Sequence, residues 1–373
     1  MSDIDLSVVA TSRNDDHGAN LIERTQYFVD GLADVAERES MHIELVLVEW
    51  NPPVDRGPLV ETITPTAKSS FEVRVVTVPR EVHHQFRHAE ALPLFQMIAK
   101  NVGIRRSRGR MVLATNVDVV MSLSLADALP ACTRARTVYR ADRADVVFDV
   151  AATPKVDLAA VRATAPSRVN RPDGVHYPGL GRVVPSYRGV ADAITYKASA
   201  LVDRRKKPQG GQLVPSRAGS TRDGSIADRV RDRWSALAGL RKIPRVHLPA
   251  CGDFTMIAGE GWEHLRGYPE WEVHSWNLDS LLLFQAHAAG FDFVNLPDDA
   301  VLFHIEQAAG SAFTPEHSRM LFDRLSERGI PVLSDADLRS LALALEGGRP
   351  RLPQFNGPDW GLSTYELPEV RLS

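Results

Sequence analysis

The pattern of apolar and polar positions divides the first 115 residues into alternating strands and helices. Short apolar runs rich in β-branched residues predict four strands, at residues 6–11, 42–50, 71–79 and 110–115. Apolar residues that recur at helical spacing predict helices at residues 20–39 and 93–106. Because strands and helices alternate, we expect an α/β fold with a doubly wound, mostly parallel sheet flanked by helices.

After residue 120 the pattern becomes less regular. It predicts short strands at 137–140 and 146–150, long loops over 164–192, a helix at 278–289 and a strand at 300–304. Two further helices, at 315–328 and 334–345, precede a Pro-rich extended end. We therefore predict three segments: 1–120 with the main sheet, 121–310 with a smaller sheet, and 311–373 as a helical and extended tail.

One stretch inside the second segment has a different composition. Residues 203–228 are basic, rich in Gly, Ser and Arg, and poor in apolar side chains. Such a stretch buries too little apolar surface to offset the entropy of ordering, so it predicts a mobile insertion. We expect it to act as a lid whose positive charges include Arg204, Arg205, Lys206 and Arg217, and a dispensable surface loop is the alternative.

Composition then removes several classes of protein. The 373 residues are 44% hydrophobic and carry a formal net charge of −3, which is typical of a globular chain and gives no basic field for nucleic acid. No apolar run is long enough for a transmembrane segment. The two cysteines exclude a disulfide framework in practice, so we expect a cytoplasmic protein.

Polar residues follow the predicted strands at the edge where an open α/β sheet binds its ligands. They are Arg13, Asp15 and Asp16 after the first strand, Glu49 and Asn51 at the end of the second, and Asn116 and Asp118 after the fourth. Glycine-rich phosphate loops are missing from the sequence, so carboxylates beside an anionic ligand indicate a divalent cation between them. If Asn116 and Asp118 are on a strand, alternation puts both on one face, within reach of one ion. Helix capping for the first group and an Asx turn for the last are the alternatives.

Several segments occur in an order that suggests a family. They are residues 8–16, 48–53, 99–109 and 115–118, followed by 252–256, 261–262, 266–270 and 277–280. Together they resemble the GT-A glycosyltransferases of the family-2-like kind. The Lys-Asn-x-Gly-x-x-x-x-x-Gly stretch at 100–109 is the more specific part, and Asn116 replaces the first aspartate of the DxD motif.

The resemblance implies roles for individual residues. Residues 1–120 would form the nucleotide-sugar half, and 121–310 the acceptor and catalytic half. The implied metal ligands are Asp118, His304 and Asn116, and the ion would be Mn²⁺ or Mg²⁺. The implied donor-binding residues are Thr11, Arg13, Asp16, Glu49, Asn51, Lys100, Asn101, Arg105 and Asn116. Asp279 and Glu270 would be catalytic, and Tyr268, Trp271 and Trp276 would bind the acceptor.

We therefore expect a metal-dependent glycosyltransferase that uses a UDP- or GDP-type sugar and a small-molecule, glycan or lipid-linked acceptor. A nucleotidyltransferase is one alternative, although residues 10–18 lack the Gly- and Arg-rich loop of such enzymes. A catalytically inactive sugar-nucleotide or carbohydrate-binding protein is another, and Asn116 favours it. Asp279 as a first-turn helix residue and His304 as a buried histidine also stay open, as does a homo-oligomer. We interpret His83, His84 and His88 as polar surface or acceptor contacts rather than a metal site.

Overall fold

The computed structural model of the protein describes residues 4–15, 19–66, 68–153, 155–179, 181–183, 246–306, 315–346 and 354–372. Two of the predictions, the donor-binding role of Asp16 and the insertion at 203–228, lie outside the described residues.

The described residues form strands and helices in alternation. The strands are β1 (Leu6–Ser12), β2 (Ile43–Trp50), β3 (Phe71–Val78), β4 (Met111–Ala114), β5 (Val119–Met121), β6 (Thr137–Arg140), β7 (Asp142–Val147), β8 (Arg168–Arg171), β9 (Gly174–Tyr177), β10 (Gly181–Val183), β11 (Thr255–Ala258), β12 (Asp292–Asn295), β13 (Val301–Glu306) and β14 (Glu369–Leu372). The helices are α1 (Leu21–Arg38), α2 (Leu59–Thr62), α3 (Arg80–His83), α4 (Gln96–Arg106), α5 (Leu123–Ala128), α6 (Leu158–Ala163), α7 (Gly259–Leu265), α8 (Leu278–Ala288), α9 (Pro315–Glu327) and α10 (Asp335–Glu346).

The larger sheet has eight strands in the order β12-β6-β11-β4-β1-β2-β3-β14. Its centre, β4-β1-β2-β3, is parallel and consists of the four strands predicted from the first 115 residues. The prediction of an α/β fold with a larger and a smaller sheet is confirmed. The large sheet is mixed, however, because β11 and β14 pair antiparallel with their neighbours.

The parallel centre is covered on both faces, which explains its continuous apolar sequence. Val8 and Leu45 belong to the core that includes α1, whereas Val9 and Val46 belong to the core that includes α4. Helix α4 lies directly on β1 because residue 103 is a glycine: a Cβ there would be 2.4 Å from a methyl carbon of Val9. This packing holds the start of α4 near the carboxyl ends of the parallel strands.

The smaller sheet has six strands in the order β10-β9-β8-β7-β13-β5. The chain leaves the large sheet at the end of β4 and enters the small sheet at β5. Residues 115–118 therefore form the connection between the sheets and lie outside any strand, so the expectation that strand alternation aligns Asn116 with Asp118 is wrong.

Two further expectations need correction. The strand predicted at 146–150 is β7, which begins at Asp142, and the stretch predicted as long loops contains β8, β9 and β10. The large sheet also takes strands from all three predicted segments, since β14 of the tail pairs with β3. The functional division of the chain into halves stays a prediction. In the described parts of the chain, no helix combines the length and the hydrophobicity needed to span a membrane.

Candidate functional site

A continuous series of polar contacts lies where the two sheets meet. Gln96, at the start of α4, donates through Nε2 to Asn116 Oδ1 over 3.1 Å. The Nδ2 of Asn116 donates to Asp253 Oδ1. Asp253 Oδ2 accepts from Arg143 Nη1 at 2.6 Å. Arg143 in turn donates to Asp145 Oδ2 at 3.2 Å, which carries the series from the large sheet into the small one.

The same series continues to two of the predicted metal ligands. Asp145 Oδ1 lies 2.7 Å from His304 Nδ1, and His304 Nε2 lies 3.4 Å from Asp118 Oδ2. Arg24 Nη1, from the first turn of α1, donates to the same Asp118 oxygen at 2.9 Å. The structure thus brings Asp118 and His304 together across 186 residues of sequence.

Backbone pairing holds this pair in place. The Asp118 carbonyl accepts the Ile305 N–H at 2.9 Å, and β13 pairs with β5 so that His304 faces Val119. Two ligands that bind one ion at right angles, at about 2.1 Å each, are about 3 Å apart. The 3.4 Å between His304 Nε2 and Asp118 Oδ2 is close to that spacing.

The second oxygen of Asp118 completes the test of fit for a metal. Asp118 Oδ1 is buried and has no hydrogen-bond partner among the described residues. A buried, unpartnered carboxylate oxygen costs free energy unless a ligand satisfies it. A carboxylate is a ligand type suited to Mn²⁺ or Mg²⁺, and an imidazole is one suited to transition-metal ions, so these two residues fit a divalent cation.

Asp118 and His304 each stabilise the charged form of the other. Burial alone would raise the pKa of Asp118, but the charges of His304, Arg24 and Arg143 outweigh it and lower the pKa to about 2. Burial would lower the pKa of His304, but Asp118 and the hydrogen bond to Asp145 raise it to about 9. A metal at Nε2 needs the neutral ring, so binding there would release a proton.

A second group of ligand types overlaps this pair. Single ligand atoms of Asp145, His304 and Glu306 lie within 4.8 Å of one another. However, Arg168 donates to Asp145 Oδ2 at 2.6 Å and to Glu306 Oε1 at 2.8 Å. Because its guanidinium already neutralises these carboxylates, we assign the candidate metal ligands to Asp118 and His304 instead.

Asp279 lies beside the same group, in the first turn of α8. Its Oδ1 accepts the Ser280 N–H at 2.7 Å, and a Cβ on Gly252 would be 2.9 Å from its Oδ2. The buried Lys100 ammonium donates to the Gly252 carbonyl at 2.6 Å. Burial, assisted by Asp253, raises the pKa of Asp279 despite hydrogen bonds and the positive charge of Lys100. A carboxylate of raised pKa is a stronger base than an exposed one.

Other predicted donor residues lie at the same edge of the sheet. Arg13 Nε donates to the Asn51 carbonyl at 2.9 Å, and Arg13 Nη1 contacts Asp15 at 2.9 Å. Asn51 has a φ of 48° and donates from Nδ2 to the Pro93 carbonyl. Thr11 is buried one strand position before the end of β1. The loops after β1 and β2 are thus in contact, and the donor-binding roles of these residues stay predictions.

Some predicted donor residues have structural partners instead. Glu49 is fully buried and accepts the Leu59 N–H at 2.9 Å, and burial raises its pKa. Arg105 pairs with Glu263 and stacks over Trp360. It lies nine residues after Gln96 on α4, which is a distance of about 13 Å along the helix. Their roles in donor binding stay predictions, and the structure does not bring these side chains to Asp118 and His304.

The predicted residues around the 266–270 turn hold the turn itself. Asn101 donates from Nδ2 to the Tyr268 carbonyl at 2.8 Å and to Glu270 Oε1 at 3.0 Å. A Cβ on Gly267, which has a φ of 70°, would be 2.3 Å from Asn101 Oδ1. Glu270 also accepts the Gly361 N–H at 2.7 Å, and burial raises its pKa. Both side chains therefore tie α4 to the turn and to the C-terminal segment.

The three predicted acceptor aromatics pack against other aromatic rings. Tyr268 is fully buried against Trp262, Trp271 lies edge-on to Phe355, and Trp276 lies edge-on to Phe322. These contacts explain each ring as part of a packed cluster, and acceptor binding stays a prediction. The histidine cluster also needs correction, because His83 is buried rather than on the surface, with its ring nitrogens on Trp50 Nε1 and the Ala89 carbonyl.

Sequence reasoning did not identify five members of the polar series as site residues: Arg24, Gln96, Arg143, Asp145 and Asp253. Asp253 occurs within a segment that carries the family resemblance, but it was not singled out. The charged residues of β7, which stand among short apolar ones, were the available signal for Arg143 and Asp145. Arg24 had no signal beyond its place in the first turn of a helix that follows β1.

A cavity of about 560 Å³ lies at the opposite edge of the large sheet. Its walls include the start of β1 at Leu6, the start of β4 at Met111 and the end of β11 at Ala258. None of the residues of the polar series lines it, so the candidate site and this cavity are separate features.

No protein-family model matches the chain, and no curated protein matches it. Among solved structures, the chain is similar to a mannosyltransferase from Pyrobaculum calidifontis in complex with GDP-Man and Mn²⁺. The two chains are 12% identical, the match covers 92% of this chain and 72% of the other, and the TM-score is 0.38. A score at that level does not establish a shared fold.

Proposed function

We propose that the protein is a GT-A type glycosyltransferase that uses a divalent cation to move a sugar from a nucleoside-diphosphate sugar to an acceptor hydroxyl. One observation carries the proposal: Asp118, with a buried unpartnered oxygen, faces His304 at the carboxyl edge of the parallel strands. Open α/β sheets bind their ligands at this edge. The segment at 115–118, which carries part of the resemblance to family-2-like glycosyltransferases, supplies Asp118, and the resemblance implies His304 as a second ligand.

Asp118 and His304 would hold the cation, through a carboxylate oxygen and Nε2. When bound, the ion would neutralise the negative charge that develops on the departing diphosphate. Arg24 already contacts Asp118 and would place a further positive charge at the same point. Asn116 is a third candidate ligand, although its amide oxygen accepts from Gln96 and its nitrogen donates to Asp253.

The nucleotide would lie across the loops that follow β1 and β2, where Arg13 and Asn51 are in contact. Arg13 supplies a guanidinium, the planar group that suits phosphate oxygens best. Asp279 would accept the proton of the acceptor hydroxyl as it attacks the sugar, which corresponds to an inverting reaction. Lys100 and Gly252 hold the wall beside Asp279, and their contact keeps that carboxylate at the site.

A protein that binds a sugar nucleotide without transferring the sugar is the second candidate. The contacts of Asn116 favour it, because this residue replaces a DxD aspartate and both ends of its amide are engaged. The intact pair of Asp118 and His304, with Asp279 beside Lys100, favours the enzyme. The acceptor class, a cytoplasmic location and a homo-oligomer stay predictions.

A thermal-shift panel tests the proposed function. UDP- and GDP-sugars are added with and without Mn²⁺, and release of nucleoside diphosphate is then measured with a pool of acceptors. We expect stabilisation that requires both donor and Mn²⁺. Asp118→Ala should abolish it, whereas Asp142→Asn, which changes a buried carboxylate on the neighbouring strand β7, should keep it. Stabilisation by free sugar without Mn²⁺ would support the binding protein instead.

A further inference from the structure

We propose that Asp145 is a positioning residue that orients the His304 ring so that Nε2 faces Asp118. The inference rests on the proposed use of a metal, and it adds a residue that the family resemblance does not supply. Asp145 would not touch the ion, and its effect would pass through the imidazole.

Strand pairing places the two residues side by side. β7 and β13 are parallel neighbours, and in their register His304 lies opposite Asp145. Asp145 Oδ1 is 2.7 Å from His304 Nδ1, and the Asp145 side chain is fully buried. The fully buried carboxylate therefore accepts the Nδ1–H of the partly exposed ring.

The other oxygen of Asp145 keeps the carboxylate from turning away. Asp145 Oδ2 accepts from Arg168 Nε at 2.6 Å, from Asn170 Nδ2 at 3.0 Å and from Arg143 Nη2 at 3.2 Å. These three donors hold Oδ2, while Oδ1 faces His304, with Arg143 Nε also 3.1 Å from it. Arg143 also bonds Asp253, so the same contacts connect the histidine to the wall of the site next to Asp279.

This arrangement determines which ring nitrogen is available. An imidazole that donates its Nδ1–H to a carboxylate presents the Nε2 lone pair to a metal. Nε2 is the nitrogen that lies 3.4 Å from Asp118 Oδ2. Loss of such an outer partner typically reduces metal affinity by about 10–100-fold.

A direct ligand role for Asp145, together with Glu306, is the competing explanation. It predicts that Glu306→Gln weakens metal binding as strongly as a change at Asp145. The positioning role predicts a smaller effect at Glu306, because that carboxylate bonds Arg168 and Ser167 rather than the histidine ring.

The experiment measures Mn²⁺ binding to the full chain by calorimetry, and histidine coordination by the ¹⁴N coupling in the electron-spin-echo spectrum of bound Mn²⁺. Asp145→Ala should weaken binding about 10–100-fold and reduce the ¹⁴N coupling at equal saturation. Asp145→Asn should recover part of the affinity, because an amide oxygen still accepts the Nδ1–H. Asp142→Asn, on the opposite face of the same strand, should bind Mn²⁺ as the wild type does.

The outcomes separate the two proposals. If the wild type shows no ¹⁴N-coupled Mn²⁺, both the metal-dependent function and the positioning role are wrong. If the wild type shows it and a folded Asp145→Ala variant binds equally well with unchanged coupling, the positioning role alone is wrong. Equal losses in Glu306→Gln and Asp145→Ala would also overturn it, in favour of direct ligation.

Discussion

Two carboxylates at opposite edges of the large sheet differ in their surroundings: Glu44 is fully buried, whereas the Asp118 side chain keeps 20% of its surface exposed. Glu44, at the amino edge, accepts from Ser7 and the Arg108 backbone on one oxygen, and from Arg74 and the Arg108 side chain at 2.9 Å on the other. Asp118, at the carboxyl edge, has Arg24 and His304 on one oxygen only. Its other oxygen has no partner among the described residues.

The difference separates a carboxylate that stabilises the fold from one that is suited to a ligand. A buried acceptor left without a partner costs about 1–3 kcal/mol, so a fold that keeps one needs a compensating use for it. Glu44 has no capacity left for a ligand, whereas Asp118 has. Glu49, at the carboxyl edge, is intermediate by this criterion: it is fully buried and its Oε1 accepts from the start of α2, but its Oε2 has no hydrogen-bond partner among the described residues.

The largest expected effect is at Asp279, beside the candidate site at the carboxyl edge of the sheet. Asp279→Asn should reduce turnover by about 10²–10⁴-fold, because the acceptor hydroxyl loses its base. Donor affinity should stay nearly normal. Release of nucleoside diphosphate measures turnover, and calorimetry with donor and Mn²⁺ measures donor affinity. Asp292→Asn, an exposed change in β12, serves as the control. Turnover within a few-fold of normal would mean that the base is elsewhere, with Glu270 the other predicted residue.

The next largest expected effect is the loss of stability when Glu44, at the amino edge, is replaced. Glu44→Ala should lower the free energy of unfolding by about 3–5 kcal/mol, because it leaves Arg74 buried without its interior partner. Asp118→Asn should cost less than about 2 kcal/mol, since only one of its oxygens is bonded. Urea denaturation of both variants measures the difference. Equal losses of stability would erase the distinction between the two carboxylates.

For Mn²⁺ binding, we expect a change at Asp118 to have a larger effect than a change at Glu44. Asp118→Ala should weaken Mn²⁺ binding by at least about 10–100-fold, the loss typical of an outer partner, because a ligand oxygen itself is removed. Glu44→Gln, studied where it is still folded, should bind Mn²⁺ normally. Calorimetric titration with Mn²⁺ decides. Unchanged binding in a folded Asp118→Ala protein would remove this residue from the metal site.

How much of this was predictable depends on where the information lies in the chain. The parallel strands were found because strands buried on both faces are continuous apolar runs, as in β2. Strands β8 to β10 were missed because they are three or four residues long, and glycine, polar or charged residues occupy at least half of each. Asp118 could be singled out because it follows β4 in a segment that resembles a known family, and His304 because it lies near the end of an apolar strand.

The rest of the site depends on contacts between distant segments. Asp145 meets His304 only because β7 pairs with β13, and that pairing joins positions 159 residues apart. The contact between Glu49 and α2 is hidden from the sequence for the same reason. Glu49 stands near the end of an apolar run, and only the folded chain shows that the segment that starts α2 covers it. Local sequence contains neither fact.

Acid should reduce the stability that Glu44 contributes at the amino edge of the sheet. Burial alone would raise the pKa of Glu44, but its hydrogen bonds to Ser7, Arg108 and Arg74 and the charge of Arg74 lower it. The stability it contributes is therefore fully present above the unfolded pKa of about 4.3, and it is lost as the pH falls through the lower folded pKa. Urea denaturation of Glu44→Gln should thus show a flatter dependence on pH between 7 and 3 than the wild type. Parallel curves would contradict the shift.

The smallest expected effect is at Glu369, the partly exposed partner of Arg74. Glu369, in β14, accepts from Arg74 Nε at 2.7 Å and Nη2 at 3.0 Å, but its side chain keeps 33% of its surface exposed. Solvent screens such a pair, so Glu369→Gln should cost about 0.2–1 kcal/mol, and added salt should reduce that cost further. Arg74 keeps its bonds to Glu44 and to the Arg106 carbonyl, so no buried charge is left alone. Urea denaturation beside Glu366→Gln, an exposed neighbour, measures the pair. A loss as large as that of Glu44→Ala would mean that burial does not determine which carboxylates stabilise this sheet.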